Sequence, residues 1–326
     1  MKIAVFSCRP DERPLFEYYG KKYQIELVIT EEAPTMDNLA LIRGCHAVSV
    51  ITTPISGMLL TAWKKEGIRA VSTRTVGYDH IDMQTAKDLN ISISNVSYTP
   101  HTVAEYTVMT ILMAIRRMKT ILMRYQVQDY SLLEVRGREL RNMTVGVVGT
   151  GKIGEEVINN LSGFGCEILA YDPFPKDSVK NCARYVELEE LWRKSDIVTL
   201  HTPATKETRY MVNKDSLKKM KKGVIIINMA RGSLIDTAAL IEGLEQGIVS
   251  AAALDVIEQE GAIYYKDYKY TVTKNHEMAI LNAMPNVLMT PHTAFFTDEA
   301  VDDMIRYSLE SCIAEVEGKE DPRRIC

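Results

Sequence analysis

Short apolar runs separated by amphipathic stretches set the rhythm of the first hundred residues: Lys2 to Phe6, Ile25 to Ile29, Ala47 to Ile51, Ala70 to Ser72 and Ile91 to Asn95. Such runs read as strands, and the patterns between them, including Met58 to Lys65 and Met83 to Leu89, have helical spacing. Strands alternating with helices imply right-handed crossovers and a parallel sheet. This part of the chain is therefore predicted to form one small α/β domain.

The pattern changes at Tyr98-Thr99-Pro100-His101-Thr102. Thr-Pro suits a helix start, and Ala104, Val108, Ile111, Leu112, Ile115 and Ile121 continue at helical spacing, predicting one long helix. A second series of runs follows: Thr144 to Val148, Glu167 to Tyr171, Ile197 to Leu200, Val224 to Asn228, Ser250 to Val256 and Val287 to Thr290. Six strands in series is the count of a full doubly wound sheet. Asp298 to Val316 reads as one amphipathic helix.

Composition narrows the class. A chain of 326 residues, 46% hydrophobic and 25% charged, has room for about two ordinary globular domains. The net charge of −4 gives no global basic field for nucleic acid or anionic lipid, so neither is expected as a partner. Arg116-Arg117-Met118-Lys119 and Lys218 to Lys222 are short, lack interleaved aromatics and read as solvated helix ends. The apolar start is too short for a signal peptide, and Val108 to Ile115, bounded by Glu105 and Arg116, is too short to span a bilayer. A cytoplasmic location is expected. Six scattered cysteines without a C-x-x-C pair indicate neither a zinc site nor a disulfide framework, and no metal is expected.

One glycine pattern carries chemistry. Gly149-Thr150-Gly151-Lys152-Ile153-Gly154 follows an apolar strand and precedes a helical pattern. Gly149 permits the tight turn, Gly151 lets backbone approach a pyrophosphate, and Gly154 lets helix and strand pack closely. The helix N-terminus would then face the phosphates. The next strand ends in Tyr171-Asp172, eighteen residues beyond Gly154, where an acid binds ribose hydroxyls and repels a 2′-phosphate. That favours NAD over NADP. Another Rossmann ligand such as S-adenosylmethionine would satisfy the same glycines, so the chemistry must be read further along.

Arg231 follows one strand in Asn228-Met229-Ala230-Arg231-Gly232, Glu260 follows the next, and His292 follows the last in Thr290-Pro291-His292-Thr293-Ala294. A parallel doubly wound sheet puts all strand C-terminal ends on one edge, where these three could converge. Reducing a 2-keto acid needs such groups: a guanidinium for the carboxylate, a proton donor near neutrality for the ketone oxygen, and a carboxylate to orient that donor. His80, His101, His201 and His276 lack comparable support and read as structural. Tyr264, Tyr265, Tyr268 and Tyr270 read as packing, or at most as an active-site wall.

At these residues, and along essentially its whole length, the chain resembles the D-isomer-specific 2-hydroxyacid dehydrogenase family, most closely its D-lactate dehydrogenase branch, which includes the vancomycin-resistance enzymes. The matching stretches include Ser72 to Asp82, Asn95 to Pro100, Val147 to Gly154, Asn228 to Gly232, Met284 to Val287 and Thr290 to Thr297. The resemblance implies His292 as acid/base, Glu260 as its partner and Arg231 as carboxylate clamp. It implies Val76 and Gly77 as backbone donors to the substrate, with Tyr98 and Phe295 lining the pocket. For NAD it adds Lys152, Ile153, Thr202, Pro203, Thr208, Met229, Ala230 and Asp255 to the glycines and Asp172. It also implies a discontinuous, flavodoxin-like substrate domain (residues 1–99 and 299–326), an NAD-binding Rossmann domain (100–298), an active site in the cleft between them, and a homodimer. The apolar stretch Ala104 to Ile121 is the candidate dimer surface.

Two departures from the family pattern stand out. Lactate-specific members of the branch place an aromatic residue after the third strand, where this chain has Val50-Ile51-Thr52-Thr53. Losing that ring reshapes the pocket, so D-lactate dehydrogenase is expected with a bulkier-acid enzyme, of the D-2-hydroxyisocaproate or phenyllactate type, as the alternative. Ser97 stands where proline is frequent and bears on loop stiffness. From another class, a non-catalytic NAD(H)-sensing corepressor remains open, although no appended partner-binding module is visible.

Overall fold

The first five apolar runs become β1 (Lys2–Val5), β2 (Glu26–Ile29), β3 (Ala47–Val50), β4 (Ala70–Thr73) and β5 (Ser92–Ser94) in a computed structural model that describes residues 1–326. Between them run α1 (Arg13–Lys22), α2 (Gly57–Lys65) and α3 (Met83–Asp88). The strands are all parallel, in the order β2-β1-β3-β4-β5, the doubly wound flavodoxin-like arrangement with its switch point between β1 and β3. Each residue of β3 and β4 is buried, as central strands covered on both faces require. Local chemistry starts the helices. The Ser56 hydroxyl accepts the Leu59 N–H at α2, and the Asp82 carboxylate accepts that of Thr85 at α3.

The chain divides into two compact units, Met1–Thr99 with Phe296–Cys326, and Pro100–Phe295. The second begins with α4 (His101–Ile115) and α5 (Met118–Gln126). The single helix expected to reach Ile121 is therefore two. Arg117 adopts a left-handed conformation (φ 54°), which breaks the ladder of i to i−4 bonds although the apolar spacing runs on through the break. Eight of the fifteen α4 residues are buried, and the helix packs on the later helix Lys152–Ser162 and the strands Val224–Asn228, Val249–Leu254 and Val287–Met289 of the same unit. Met109 is exposed on α4, and a run of exposed apolar residues follows later: Leu122, Met123, Tyr125, Val127, Tyr130, Leu132 and Leu133.

Strands β6 (Thr144–Val148), β7 (Glu167–Tyr171), β8 (Arg184–Tyr185), β9 (Ile197–Leu200), β10 (Val224–Asn228), β11 (Val249–Leu254) and β12 (Val287–Met289) alternate with α6 (Lys152–Ser162), α7 (Leu188–Lys194), α8 (Lys214–Lys219), α9 (Thr237–Glu245) and α10 (His276–Ala283). The sheet order is β12-β11-β10-β9-β6-β7-β8, all parallel, with the switch point between β6 and β9. There are seven strands where the sequence predicts six. The extra one, β8, is a two-residue edge strand too short and polar to form an apolar run.

The chain then returns to the first unit as α11 (Asp298–Glu317), capped by the Thr297 hydroxyl on the Ala300 N–H and ended by Gly318 at φ 68°. It packs on β3 and β4, where Ser308 and Ser49 share a buried hydrogen bond of 2.7 Å. The C-terminus closes the sheet edge, with the Ile325 N–H donating to the Ile93 carbonyl. All six cysteines are unpaired, and no helix is long and apolar enough to cross a membrane.

Candidate active site

At the end of β6, Gly149 has φ 93°, and a Cβ there would meet the His201 main chain at 2.8 Å. A Cβ on Gly154 would lie 1.9 Å from the Gly149 carbonyl oxygen, so α6 can pack this close to β6 only with glycine. Gly151 differs: a Cβ there meets nothing within 4 Å, and the open space lies directly before the first turn of α6. Asp172, after β7, accepts the Thr150 N–H at 2.6 Å and the Phe174 N–H at 2.8 Å, which fixes its carboxylate beside the turn. Lys152 and Ile153 form the first helical turn, exposed and half-buried respectively.

After β9, Thr202 and Pro203 open a loop that Thr208 closes, its hydroxyl donating to the Pro203 carbonyl at 2.7 Å. Preceding them, His201 has its ring buried. Nε2 lies 2.9 Å from the Thr199 hydroxyl, Nδ1 has no partner, and burial pulls its pKa down to about 3.

After β10, the buried Asn228 side chain accepts the Ala230 N–H and donates to the Arg231 carbonyl, folding Met229, Ala230 and Arg231 into a tight turn. A Cβ on Gly232 would lie 2.1 Å from the Ile257 carbonyl carbon. This glycine therefore brings the Arg231 turn against the backbone just ahead of Glu260. Nothing in its sequence context besides the motif signals that contact.

After β11, Asp255 is fully buried and organises the loop that follows β12. Its carboxylate accepts from the Thr290 hydroxyl at 2.6 Å and from the Thr293 and Ala294 N–H groups at 2.9 Å, while its carbonyl accepts the His292 N–H. On this frame, His292 Nδ1 donates to Glu260 Oε1 at 2.5 Å, and Glu260 Oε2 accepts the Ile257 N–H at 2.9 Å. A carboxylate can only accept, so the proton sits on Nδ1 and Nε2 is left for other work. The Phe295 ring meets the imidazole edge-on at 6.1 Å. The imidazole and carboxylate are each about one-quarter exposed, enough for access and too little for full solvation.

A family model described as "D-isomer specific 2-hydroxyacid dehydrogenase, NAD binding domain" matches residues 108–294. The chain belongs to the D-isomer-specific 2-hydroxyacid dehydrogenase family. A D-specific alpha-keto acid dehydrogenase of Enterococcus faecalis is 40% identical over 314 residues, covering 96% of each chain. An aromatic 2-oxoacid reductase of Clostridium sporogenes is 38% identical over 332 residues, covering all of both. A crystal structure of D-lactate dehydrogenase with NAD+ from Lactobacillus jensenii superposes with a TM-score of 0.87 at 32% identity, covering 100% of each chain.

The protein is thus an oxidoreductase with NAD as cofactor. The non-catalytic sensing reading gives way to an enzyme. The turn fits the cofactor: Gly151 opens on space a Cβ would fill, a helix N-terminus stands behind it, and an acid sits where ribose hydroxyls are read.

The first unit holds the remaining sequence-predicted residues. Val76 and Gly77 lie in the loop after β4, where the carbonyls of Thr75, Val76 and Gly77 all accept hydrogen bonds, from the Val96 N–H, the Asn95 amide and the Thr75 hydroxyl. Tyr98, half-buried, follows β5. Beneath the loop, the fully buried Arg74 guanidinium binds Glu12, Ser49 and the Phe6 and Ser7 carbonyls. Arg74 and Glu12 lie 62 residues apart and carry no motif that links them.

Proposed function

We propose that the protein interconverts a 2-keto acid and its D-2-hydroxy acid, most simply pyruvate and D-lactate, with His292 as the proton-transfer group. The observation that carries this is the His292 Nδ1 to Glu260 Oε1 hydrogen bond of 2.5 Å, which commits one ring nitrogen and leaves Nε2 to serve the substrate. Arg231 clamps the substrate carboxylate, as a guanidinium fork suits. The Val76 and Gly77 N–H groups bind the same carboxylate, with Tyr98 and Phe295 against the side chain. Lys152, Ile153, Thr202, Pro203, Thr208, Met229 and Ala230, with the three glycines and Asp172, hold NAD, while Asp255 secures the His292 loop. Bound NAD(H) supplies the hydride exchanged at C2. In reduction, protonated His292 gives its proton to the carbonyl oxygen while the Glu260 carboxylate stabilises the imidazolium; oxidation reverses the transfer.

A second reading, a bulkier or aromatic 2-keto acid, rests on Val50-Ile51-Thr52-Thr53 and on the aromatic 2-oxoacid reductase relative. NADH oxidation with pyruvate, 2-ketoisocaproate and phenylpyruvate, followed by the reverse reaction with separate D- and L-hydroxy acids, tests both. A kcat/KM ratio favouring pyruvate supports the first reading. A preference for phenylpyruvate supports the second, since each apolar group fitted is worth about 1 to 3 kcal/mol. Turnover of L-acids alone contradicts both.

The enzyme works as a homodimer in this reading. Support comes from the exposed run Leu122 to Leu133, where Val127, Leu132 and Leu133 are 75%, 86% and 72% exposed, a patch of a kind that marks protein contact surfaces.

A further inference from the structure

The aromatic run after Glu260 divides its labour. Tyr264 is buried and packs, whereas Tyr265 is half exposed, and its hydroxyl donates to the main-chain carbonyl of His292 at 2.8 Å. Both ends of that bond are in left-handed backbone, with φ 66° at Tyr265 and 52° at His292. That conformation is unfavourable for an L-residue and persists only where the surroundings over-determine it. Here the segment from Glu260 to Tyr265 grips His292 at two points, the ring through Glu260 and the backbone through Tyr265. The Asp255 carbonyl holds the His292 N–H from a third direction.

We propose that Tyr265 is a positioning residue: its hydroxyl holds the His292 backbone in the conformation that aims the imidazole at the substrate. The proposal rests on the reading of His292 as proton donor given above. Tyr265 acts through the backbone of another residue, so its loss should slow proton transfer without weakening NADH.

Tyr265→Phe removes one oxygen and tests this. The expected result is a kcat lower by about tenfold to a hundredfold, as a misplaced catalytic group loses. NADH affinity and thermal midpoint should stay at wild-type values, and the solvent deuterium isotope effect on kcat should be larger, because proton transfer becomes rate-limiting. Tyr268→Phe is the control, since its hydroxyl donates to the Ala262 carbonyl at 2.9 Å in the same segment but does not touch His292. Unchanged kcat in Tyr265→Phe overturns the proposal. So does a loss whose isotope effect matches the wild type, or one that Tyr268→Phe reproduces. A wild-type enzyme inactive on every D-acid would instead sink the proposed function itself, which the same assay reports separately.

Discussion

Glu260 Oε1 accepts a hydrogen bond from His292 Nδ1 at 2.5 Å, joining two residues 32 positions apart in the chain. Because the carboxylate charge stabilises the imidazolium and the geometry fixes the tautomer, the two variants that break this pair should fail differently. His292→Ala should keep NADH binding and lose about 10²- to 10⁴-fold in kcat, the usual worth of a positioned acid/base. Glu260→Gln keeps the shape without the charge and should lose less. Steady-state kinetics beside fluorescence titration of NADH checks both, and a small loss in His292→Ala would remove the histidine from its assigned role.

The glycines of the cofactor turn should separate binding from folding. Gly154→Ala puts a methyl 1.9 Å from the Gly149 carbonyl oxygen, so α6 must move and thermal stability should fall. Gly151→Ala meets nothing within 4 Å, so the fold should be unaffected while NADH affinity drops, the methyl occupying space the pyrophosphate needs. Wild-type NADH affinity in a folded Gly151→Ala would place the phosphates elsewhere.

Arg74 is expected to be a stability residue of the loop after β4. Arg74→Met leaves Glu12 buried and strips donors from the Phe6 and Ser7 carbonyls. Losing one partner of a buried ion pair costs about 3 to 5 kcal/mol. The lower end is expected because Arg9 still reaches Glu12 at 3.2 Å. Urea unfolding measures the loss, and adding Glu12→Leu should recover part of it. A loss below about 1 kcal/mol, the range of an exposed pair, would contradict a buried role.

His201 should make the fold sensitive to acid. Burial lowers its pKa from 6.5 to about 3, so below pH 6.5 the unfolded chain binds a proton that the folded chain refuses. The contribution of the neutral ring is complete above pH 6.5 and declines as pH falls toward 3, by about 1.4 kcal/mol per pH unit. Between pH 6 and pH 4.5, a plot of unfolding free energy against pH should be shallower for His201→Asn by close to one proton. Equal slopes would mean that the folded chain protonates this ring normally.

The exposed apolar run after α4 should govern assembly. In the proposed homodimer, Leu132→Arg with Leu133→Glu, two residues 86% and 72% exposed, should shift sedimentation from dimer toward monomer with little change in monomer stability. A dimer that survives both changes must be built on another face.

Much of the fold could be read locally. Apolar runs such as Thr144 to Val148 became strands with the same bounds, because a buried parallel strand must be apolar along its whole length. The break at Arg117 could not be read, since the apolar spacing runs on through it, and β8 escaped because a two-residue edge strand needs no apolar pattern.

The same division holds at the site. Short-range steric demands are written into adjacent residues, so the glycine turn, Asp172 and the strand-end positions of Arg231, Glu260 and His292 stood in the sequence by themselves. What only the tertiary structure decided are the atoms through which Glu260 meets His292 and the pairings of Asp255 with the loop from Thr290 to Ala294, Arg74 with Glu12, and Tyr265 with the His292 carbonyl. A hydrogen bond depends on distance and angle in space, and a lone tyrosine or arginine carries no local pattern that names its partner. Folding supplies that partner by bringing the ends of separate strands to one edge of a parallel sheet.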